Sequence, residues 1–217
     1  MDIDKFREIL LEGESSTVEY KRKFTTPVKI AKELSAFANT IGGYLIFGVD
    51  DDSTIYGVDS EKGEINSIEI ACGFYISPPI VPEIFILDYQ NKDIVIVKVR
   101  QSSSKPHKIV LNPDDKKPEY KTYIRVGEES IAASPEMTRV LATQNQDSEP
   151  VRLIIGEKER ALFTYLEFHQ HATVNDFAKL TNISRRRAER LMVRLVKAGV
   201  IQIHQNSDSD YFTLKGK

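Results

Sequence analysis

A single cysteine, Cys72, is all the thiol chemistry available to this chain of 217 residues. One thiol excludes an intramolecular disulfide and any cysteine-rich zinc centre. No stretch approaches the roughly 18 uninterrupted apolar residues that a membrane span requires, so no membrane partner is expected. Met1 to Leu11 carries Asp2, Asp4, Lys5, Arg7 and Glu8 where the apolar core of a secretory signal would lie. With the lone thiol, this leads to an expected cytoplasmic location. Low-complexity tracts and internal repeats are missing too. No G-x-x-x-x-G-K-[ST] motif occurs, which argues against a phosphate-binding loop for ATP. No nucleophile-elbow pattern accompanies the serines and histidines, so the sequence alone gives no support for acyl transfer.

What is present is an ordinary globular composition, 41% hydrophobic and 29% charged. The length suits two small domains. The net charge of −2 hides an asymmetry. From Arg152 onward there are 12 Lys and Arg against 7 Asp and Glu, or +5; the remaining 18 basic and 25 acidic residues give −7. A basic C-terminal unit is therefore the expected partner of a polyanion. The polar, aperiodic segment from Thr143 to Pro150 reads as a linker. The expected organisation is a domain over 1–142, a linker over 143–151 and a second domain over 152–217.

The first part mixes strands and helices. Asp2 to Leu11 reads as a short helix, and Thr26-Pro27 as the cap and first residue of another. In the latter, Ile30, Ala31, Leu34, Phe37 and Ala38 keep helical spacing. Gly42-Gly43 reads as its stop, with Asn39 bonding backbone in the adjacent turn. Tyr44 to Val49 is a β-prone run, followed by a turn at Asp50 to Thr54 and a strand at Ile55 to Val58. Glu64 to Cys72 reads as helix. Ile84 to Tyr89 and Asp93 to Arg100 flank Gln90-Asn91-Lys92 as a hairpin. Tyr120 to Val126 alternates as a strand, and Ser134-Pro135 starts a helix to about Ala142. The pattern predicts an α+β fold with a mixed, mostly antiparallel sheet.

After the linker the order is helix, helix, helix, hairpin. Glu157 to Phe168 is the first helix. Thr173 caps the second, with Asp176 three residues on. After Asn182-Ile183, Ser184 caps a third that runs to about Lys197 and stops at Gly199. Two short strands, Val200 to His204 and Tyr211 to Leu214, surround a polar tip. On the third helix Ala188, Leu191, Met192, Leu195 and Val196 form one apolar stripe. Arg186, Arg187, Arg190, Arg194 and Lys197 cluster opposite. Arg185 to Arg187 stand at the N-terminal end, the part of a recognition helix that reaches base edges. Arginine suits that place because its planar fork grips phosphate or guanine edges bidentately. Asp208 and Asp210 at the hairpin tip weigh against strong phosphate contact there. His169 and His171 read as a loop, not as metal ligands. The close at Leu195 to Ile201 resembles the end of winged helix-turn-helix domains, which makes this unit a small winged-helix domain with DNA or RNA as its partner. Winged helices also serve as protein-docking modules, and fold alone does not decide between these uses.

Three segments of the first part belong together: Glu14-Ser-Ser-Thr-Val-Glu-Tyr-Lys21, Leu34 to Gly43, and Tyr44 to Asp51 with Gly57-Val58 beyond. With Lys105-Pro106-His107 and Tyr123-Ile-Arg-Val-Gly127, they resemble the Schlafen AlbA-like (divergent AlbA) domain. That module occurs in bacterial regulator-type proteins and in the nuclease core of vertebrate Schlafen proteins. The resemblance implies two functions. One is a DNA-binding transcriptional regulator, expected as a homodimer, with Arg185, Arg186, Arg187, Arg190 and Arg194 as nucleic-acid contacts and no cofactor needed for binding. The other is a divalent-metal-dependent endoribonuclease acting on structured RNA such as tRNA. There Glu14, Glu19 and Asp51 would be catalytic and hold Mg²⁺ or Mn²⁺, with Lys21 contacting phosphate. Hard carboxylate oxygens suit such ions. The same carboxylates can instead pair with Lys21, Arg22 or Lys23, and Asp50 to Asp52 can form an ordinary acidic turn.

Overall fold

The computed structural model describes residues 1–113, 115–145, 153–206 and 209–216. The chain divides into two compact units, Met1–Ala132 and Ala133–Lys217.

In the first unit, Asp2 accepts the Lys5 N–H at 2.8 Å and so caps α1, Ile3–Glu12. Phe6 and Ile9 on this helix are buried. Strand β1 (Val18–Lys21) follows, then helix α2 (Pro27–Asn39), capped by Thr26 with proline in its first turn. Strand β2 is Gly42–Phe47 and helix α3 is Glu61–Phe74. After the two-residue β3 (Ile76–Ser77) come β4 (Glu83–Tyr89) and β5 (Lys92–Arg100). Gln90 and Asn91 between them have φ of 54° and 58°, the positive values that a two-residue hairpin turn needs. Lys92 therefore joins the strand and is not part of the loop. The unit ends with β6 (Lys108–Val110), β7 (Tyr120–Val126) and β8 (Glu129–Ala132).

One sheet has the order β1-β2-β5-β4, in which only β1 and β2 run parallel. A second, antiparallel sheet has the order β3-β6-β7-β8. This is the expected mixed, mostly antiparallel α+β arrangement. The middles of the central strands, Leu45 to Phe47 of β2 and Ile94 to Val97 of β5, are continuously apolar because both of their faces are covered. Leu45, Phe47, Val95, Val97 and Val99 pack with α2 and α3. Ile46, Ile94 and Ile96 pack on the other face with Phe6 and Ile9 of α1 and with Val18 and Tyr20 of β1.

The glycine pair differs from its expected role. Helix α2 is closed by Thr40, whose N–H reaches Ala36 and Phe37 carbonyls, and the glycines open β2 instead. Gly42 has φ +82°, and a Cβ there would stand 2.7 Å from the Val99 carbonyl oxygen. At Gly43 a Cβ would meet the Phe37 ring at 2.5 Å and the Thr17 carbonyl at 2.6 Å. Only glycine lets helix, strand and neighbouring backbone approach this closely. Asn39 also acts at longer range than its adjacent turn. Its amide donates to His107 O at 2.8 Å and Tyr123 O at 2.9 Å and accepts from His107 N at 2.8 Å. It thereby ties the end of α2 to the second sheet. Ile55 forms only an isolated bridge to Val49, and no strand covers Ile55 to Val58.

The second unit begins with α4, Pro135–Thr143, capped by Ser134. The sequence reading grouped this helix with residues 1–142, but its partners lie in the second unit. Glu136 pairs with Arg185 at 2.6 Å and Arg139 pairs with Glu189. Residues 146–151 of the expected linker lie outside the described residues. Helices α5 (Glu157–His169), α6 (Val174–Leu180) and α7 (Arg185–Lys197) lead into the antiparallel pair β9 (Ile201–Gln205) and β10 (Asp210–Leu214). Their core joins Leu162 and Leu166 of α5, Phe177 of α6, Ala188, Met192 and Leu195 of α7, and Ile201 and Phe212 of the hairpin. No helix among the described residues is long and apolar enough to cross a membrane.

Candidate functional site

The sequence marks two places, the basic face of α7 and the carboxylates of the first unit. The local chemistry around α7 is direct. Thr173 and Asp176 form a reciprocal capping box on α6. Asn182 takes φ +50° in the turn, and Ser184 caps α7. Burial of Ala188, Met192 and Leu195 orients the helix and leaves Arg186, Arg187, Arg190 and Arg194 exposed. Arg186, Arg187 and Arg190 have no carboxylate within ion-pair distance among the described residues. Arg185 differs because its guanidinium reaches Glu136 of α4. Glu189, the acidic interruption in the arginine run, is buried and paired with Arg139. It therefore subtracts little from the exposed positive face.

Other expected features are placed differently. Asp210 starts β10 and accepts the Ser134 hydroxyl, and burial raises its pKa. It is not a charge displayed at the hairpin tip, while Asp208 lies outside the described residues. His169 is the last residue of α5, its ring edge-on to Tyr165 at 4.1 Å, so it is helical and not part of a loop. His171 lies edge-on to Tyr211 at 6.0 Å.

In the first unit, the two-residue period of β1 sends Val18 and Tyr20 to one face and Glu19 to the other. Glu19 meets Arg125 of β7, whose side chain is 0% exposed. The Arg125 guanidinium donates to Glu19 Oε2 at 2.8 Å, Glu33 Oε2 at 3.3 Å, Ser130 Oγ at 3.3 Å and the Ser15 carbonyl at 2.6 Å. Its Cζ lies 4.8 Å from the centre of the Phe37 ring. Ser130 also donates to Glu33. The other Glu19 oxygen takes the Lys21 ammonium, which donates as well to Tyr20 O at 2.8 Å. Lys21, a candidate phosphate contact, is thus engaged within its own strand.

Glu14 accepts the Tyr20 N–H at 2.8 Å. Its pKa is raised, first by burial and then by repulsion from Glu19 and Asp51, against the Tyr20 hydrogen bond and the Lys21 charge. Asp51 is exposed in the Asp50–Thr54 turn, four residues beyond the end of β2. In that turn Asp50 N–H donates to Thr54 O at 2.9 Å, and Asp52 Oδ1 accepts the Thr54 N–H at 2.8 Å. Asp51 therefore stands in the turn and not on β2.

Glu14 feels the charges of Glu19 and Asp51, but the three carboxylates do not form a cation cage. Among the described residues, no three His, Cys, Asp or Glu side chains are grouped to hold a metal ion. Both Glu19 oxygens and one Glu14 oxygen already accept from cations or backbone. As arranged, these residues do not fit Mg²⁺ or Mn²⁺.

Sequence reasoning missed Arg125 as the partner of Glu19, and Glu33 as the second carboxylate on the same guanidinium. The available signal was a charged residue in the otherwise alternating β7 run, a position that must be paired if buried. Cys72 is buried, and its thiol is pushed up to about 12 by burial, away from reactivity.

Solved structures similar to this chain include the two that follow. The DIP2311 protein from Corynebacterium diphtheriae is 17% identical with a TM-score of 0.48, over 77% of this chain and 39% of its own. This chain thus spans well under half of that protein's length. The N-terminal domain of a RecG-related protein from Nitrosomonas europaea, titled an ATP-dependent DNA helicase relative, is 18% identical. Its TM-score is 0.42, over 71% of this chain and 92% of its own. The family model described as "Schlafen, AlbA_2" matches residues 14–134. That match takes in β1, the glycine pair and the Arg125 strand, and extends over more than half of the sequence. The chain belongs to the Schlafen AlbA_2 family.

Proposed function

We propose that this protein is a DNA-binding transcriptional regulator, with residues 153–216 acting as a winged helix-turn-helix unit. In this reading α7 enters the major groove and β9–β10 is the wing. One observation carries it: Arg186, Arg187 and Arg190 are exposed together on the early turns of α7, opposite its buried stripe. Phosphate contacts from such residues supply affinity, and bidentate contacts to guanine supply sequence preference.

The test is binding of the full chain to duplex DNA across a salt series, with Arg186, Arg187 and Arg190 changed to alanine. Each phosphate contact contributes about 0.9 to the slope of log K against log salt. Loss of three should lower that slope by roughly 2–3. Unchanged affinity and slope would refute the proposal.

The alternative, a metal-dependent endoribonuclease, draws its support from Glu14, whose carboxyl feels the negative charges of Glu19 and Asp51. It ranks second because both Glu19 oxygens and one Glu14 oxygen are already committed, whereas the α7 arginines are presented. Structured RNA incubated with Mn²⁺ and the full chain distinguishes the two. Cleavage that disappears in Glu19→Gln would put the nuclease first.

A further inference from the structure

Lys105-Pro106-His107 contributed to the family resemblance but has no part in nucleic-acid contact as proposed. His107 is 3% exposed, and its ring is held at both nitrogens. Nδ1 lies 2.7 Å from the Pro78 carbonyl oxygen, and Nε2 lies 2.6 Å from Ser102 Oγ. A carbonyl can only accept, so Nδ1 carries the proton. In the neutral ring Nε2 is then a lone pair, and Ser102 donates its hydroxyl hydrogen to it. Burial lowers the His107 pKa, and the neighbouring Lys105 charge acts in the same direction. The ring is therefore held in its basic form at neutral pH.

Ser102 is equally constrained. Its N–H donates to Ala38 O at 2.9 Å, and its Oγ accepts the Ser104 N–H at 3.0 Å. That second bond fixes the direction of the hydroxyl, so that its hydrogen points at the imidazole. Ser102 and His107 both line a cleft of about 710 Å³. One wall is the apolar run Pro78 to Val81, whose Val81 is 96% exposed. A serine hydroxyl bonded to a neutral imidazole that a third group orients is the arrangement of an activated nucleophile. The sequence hid it because no elbow motif surrounds Ser102.

We propose that Ser102 and His107 form a nucleophile–base dyad, oriented by the Pro78 carbonyl, that hydrolyses carboxylic esters with an aliphatic acyl group. Ser102 Oγ bonds to the ester carbonyl carbon, its proton passes to His107 Nε2, and the carbonyl π pair moves onto oxygen. Collapse of this intermediate re-forms the carbonyl and breaks the bond to the alcohol oxygen, which leaves with the proton from Nε2. Water then attacks the acyl-serine and gives one proton to Nε2. Ser102 departs, recovers that proton, and a carboxylic acid is released. The Pro78–Val81 wall receives the acyl chain.

The test uses the full chain, a fluorophosphonate probe and p-nitrophenyl butyrate. The probe should add one adduct, located by peptide mass mapping on Ser102, and Ser103→Ala should label as the unchanged chain does. Ester hydrolysis should fall by at least about 100-fold in Ser102→Ala and in His107→Gln, the scale of a lost nucleophile or general base. His107 is buried and its variant risks misfolding. Ser102→Ala, which removes one oxygen and whose fold circular dichroism verifies, therefore decides the question. Absence of an adduct, an adduct on another residue, or hydrolysis by Ser102→Ala at the unchanged rate would overturn the proposal. A histidine serving only to pin Pro78 to Ser102 gives those results.

Discussion

Replacing Arg125 with alanine removes the one cation on which Glu19 and Glu33 converge inside the first unit. Both carboxylates belong to residues 8% exposed, so water cannot readily take the place of the guanidinium. Four further interactions vanish with it, to Ser130, the Ser15 and Val18 carbonyls and the Phe37 ring. Breaking a buried pair by removing one partner costs about 3–5 kcal/mol. Lys21 beside Glu19 and Lys32 beside Glu33 still offset part of the stranded charge, which sets the expectation at the lower end of that range. With a urea slope of about 2 kcal/mol per molar, the unfolding midpoint should drop by roughly 1.5 M. All of these partners lie in the first unit. Hydrogen exchange should therefore accelerate in β1, β2 and β7 while α5 to α7 stay protected. A triple variant, Arg125→Met with Glu19→Gln and Glu33→Gln, leaves no charge at the buried centre of the network, while the partly exposed Lys21 and Lys32 can turn to water, and should recover more than half of the loss. The reasoning is refuted if Arg125→Ala costs less than about 1 kcal/mol, the range of an exposed pair, or if the triple variant is no more stable than the single one.

Three other outcomes concern Gly43, Lys105 and His107 of the same unit. Gly43→Ala should destabilise the first unit by about 1–3 kcal/mol through overpacking against Phe37 and Thr17, read as a lowered Tm. Lys105 is held at about 8 by burial, below its unfolded value near 10.5, so the unfolded chain binds more protons between those limits. Its contribution makes stability rise as pH increases from about 8 to about 10.5, and Lys105→Met should lose that increment in a pH series of urea midpoints. His107, also lowered by burial, should make stability fall as pH drops below about 6.5, and His107→Gln should flatten that limb of the same series.

The elements most legible in the sequence were those whose determinants are local. The Thr26-Pro27 start, the Thr173–Asp176 box, the Ser184 cap and the apolar stripe of α7 lie within a few residues of what they control. Each reappears in the structure at its expected place. The short strands β6 and β8 carried no such local signal. Three and four residues long, they are strands because β7 offers them hydrogen-bonding partners. Gly42-Gly43 was misread for a related reason. A glycine pair after a helix satisfies the local rule for a stop, and only the distant Val99 backbone and Phe37 ring reveal a demand for close approach. Among the site residues, the arginine face was legible because it needs only helical periodicity. The links from Glu19 to Arg125 and from Ser102 to His107 and Pro78 were not. The first spans 106 residues and the last 29.

The Arg125 network also bears on the choice between functions. For a divalent ion to be held by Glu19, the ion must take an oxygen that Arg125 or Lys21 now occupies. Displacing Arg125 would strand a guanidinium that is 0% exposed, at a cost of the same order as deleting its partner, about 3–5 kcal/mol. Displacing Lys21 is easier, since its side chain is partly exposed and can swing into water. A metal-binding state would therefore keep the Arg125–Glu19 bond and recruit the Lys21-facing oxygen together with Glu14 and Asp51. Lys21→Ala should then strengthen Mn²⁺ binding if such a state exists, because it frees that oxygen without disturbing the buried pair. Absence of Mn²⁺ binding in Lys21→Ala, measured by calorimetry, would leave Glu19 as an anchor for β7. Nucleic-acid contact would then rest with α7, whose Arg186, Arg187 and Arg190 need no internal partner displaced before they meet a phosphate.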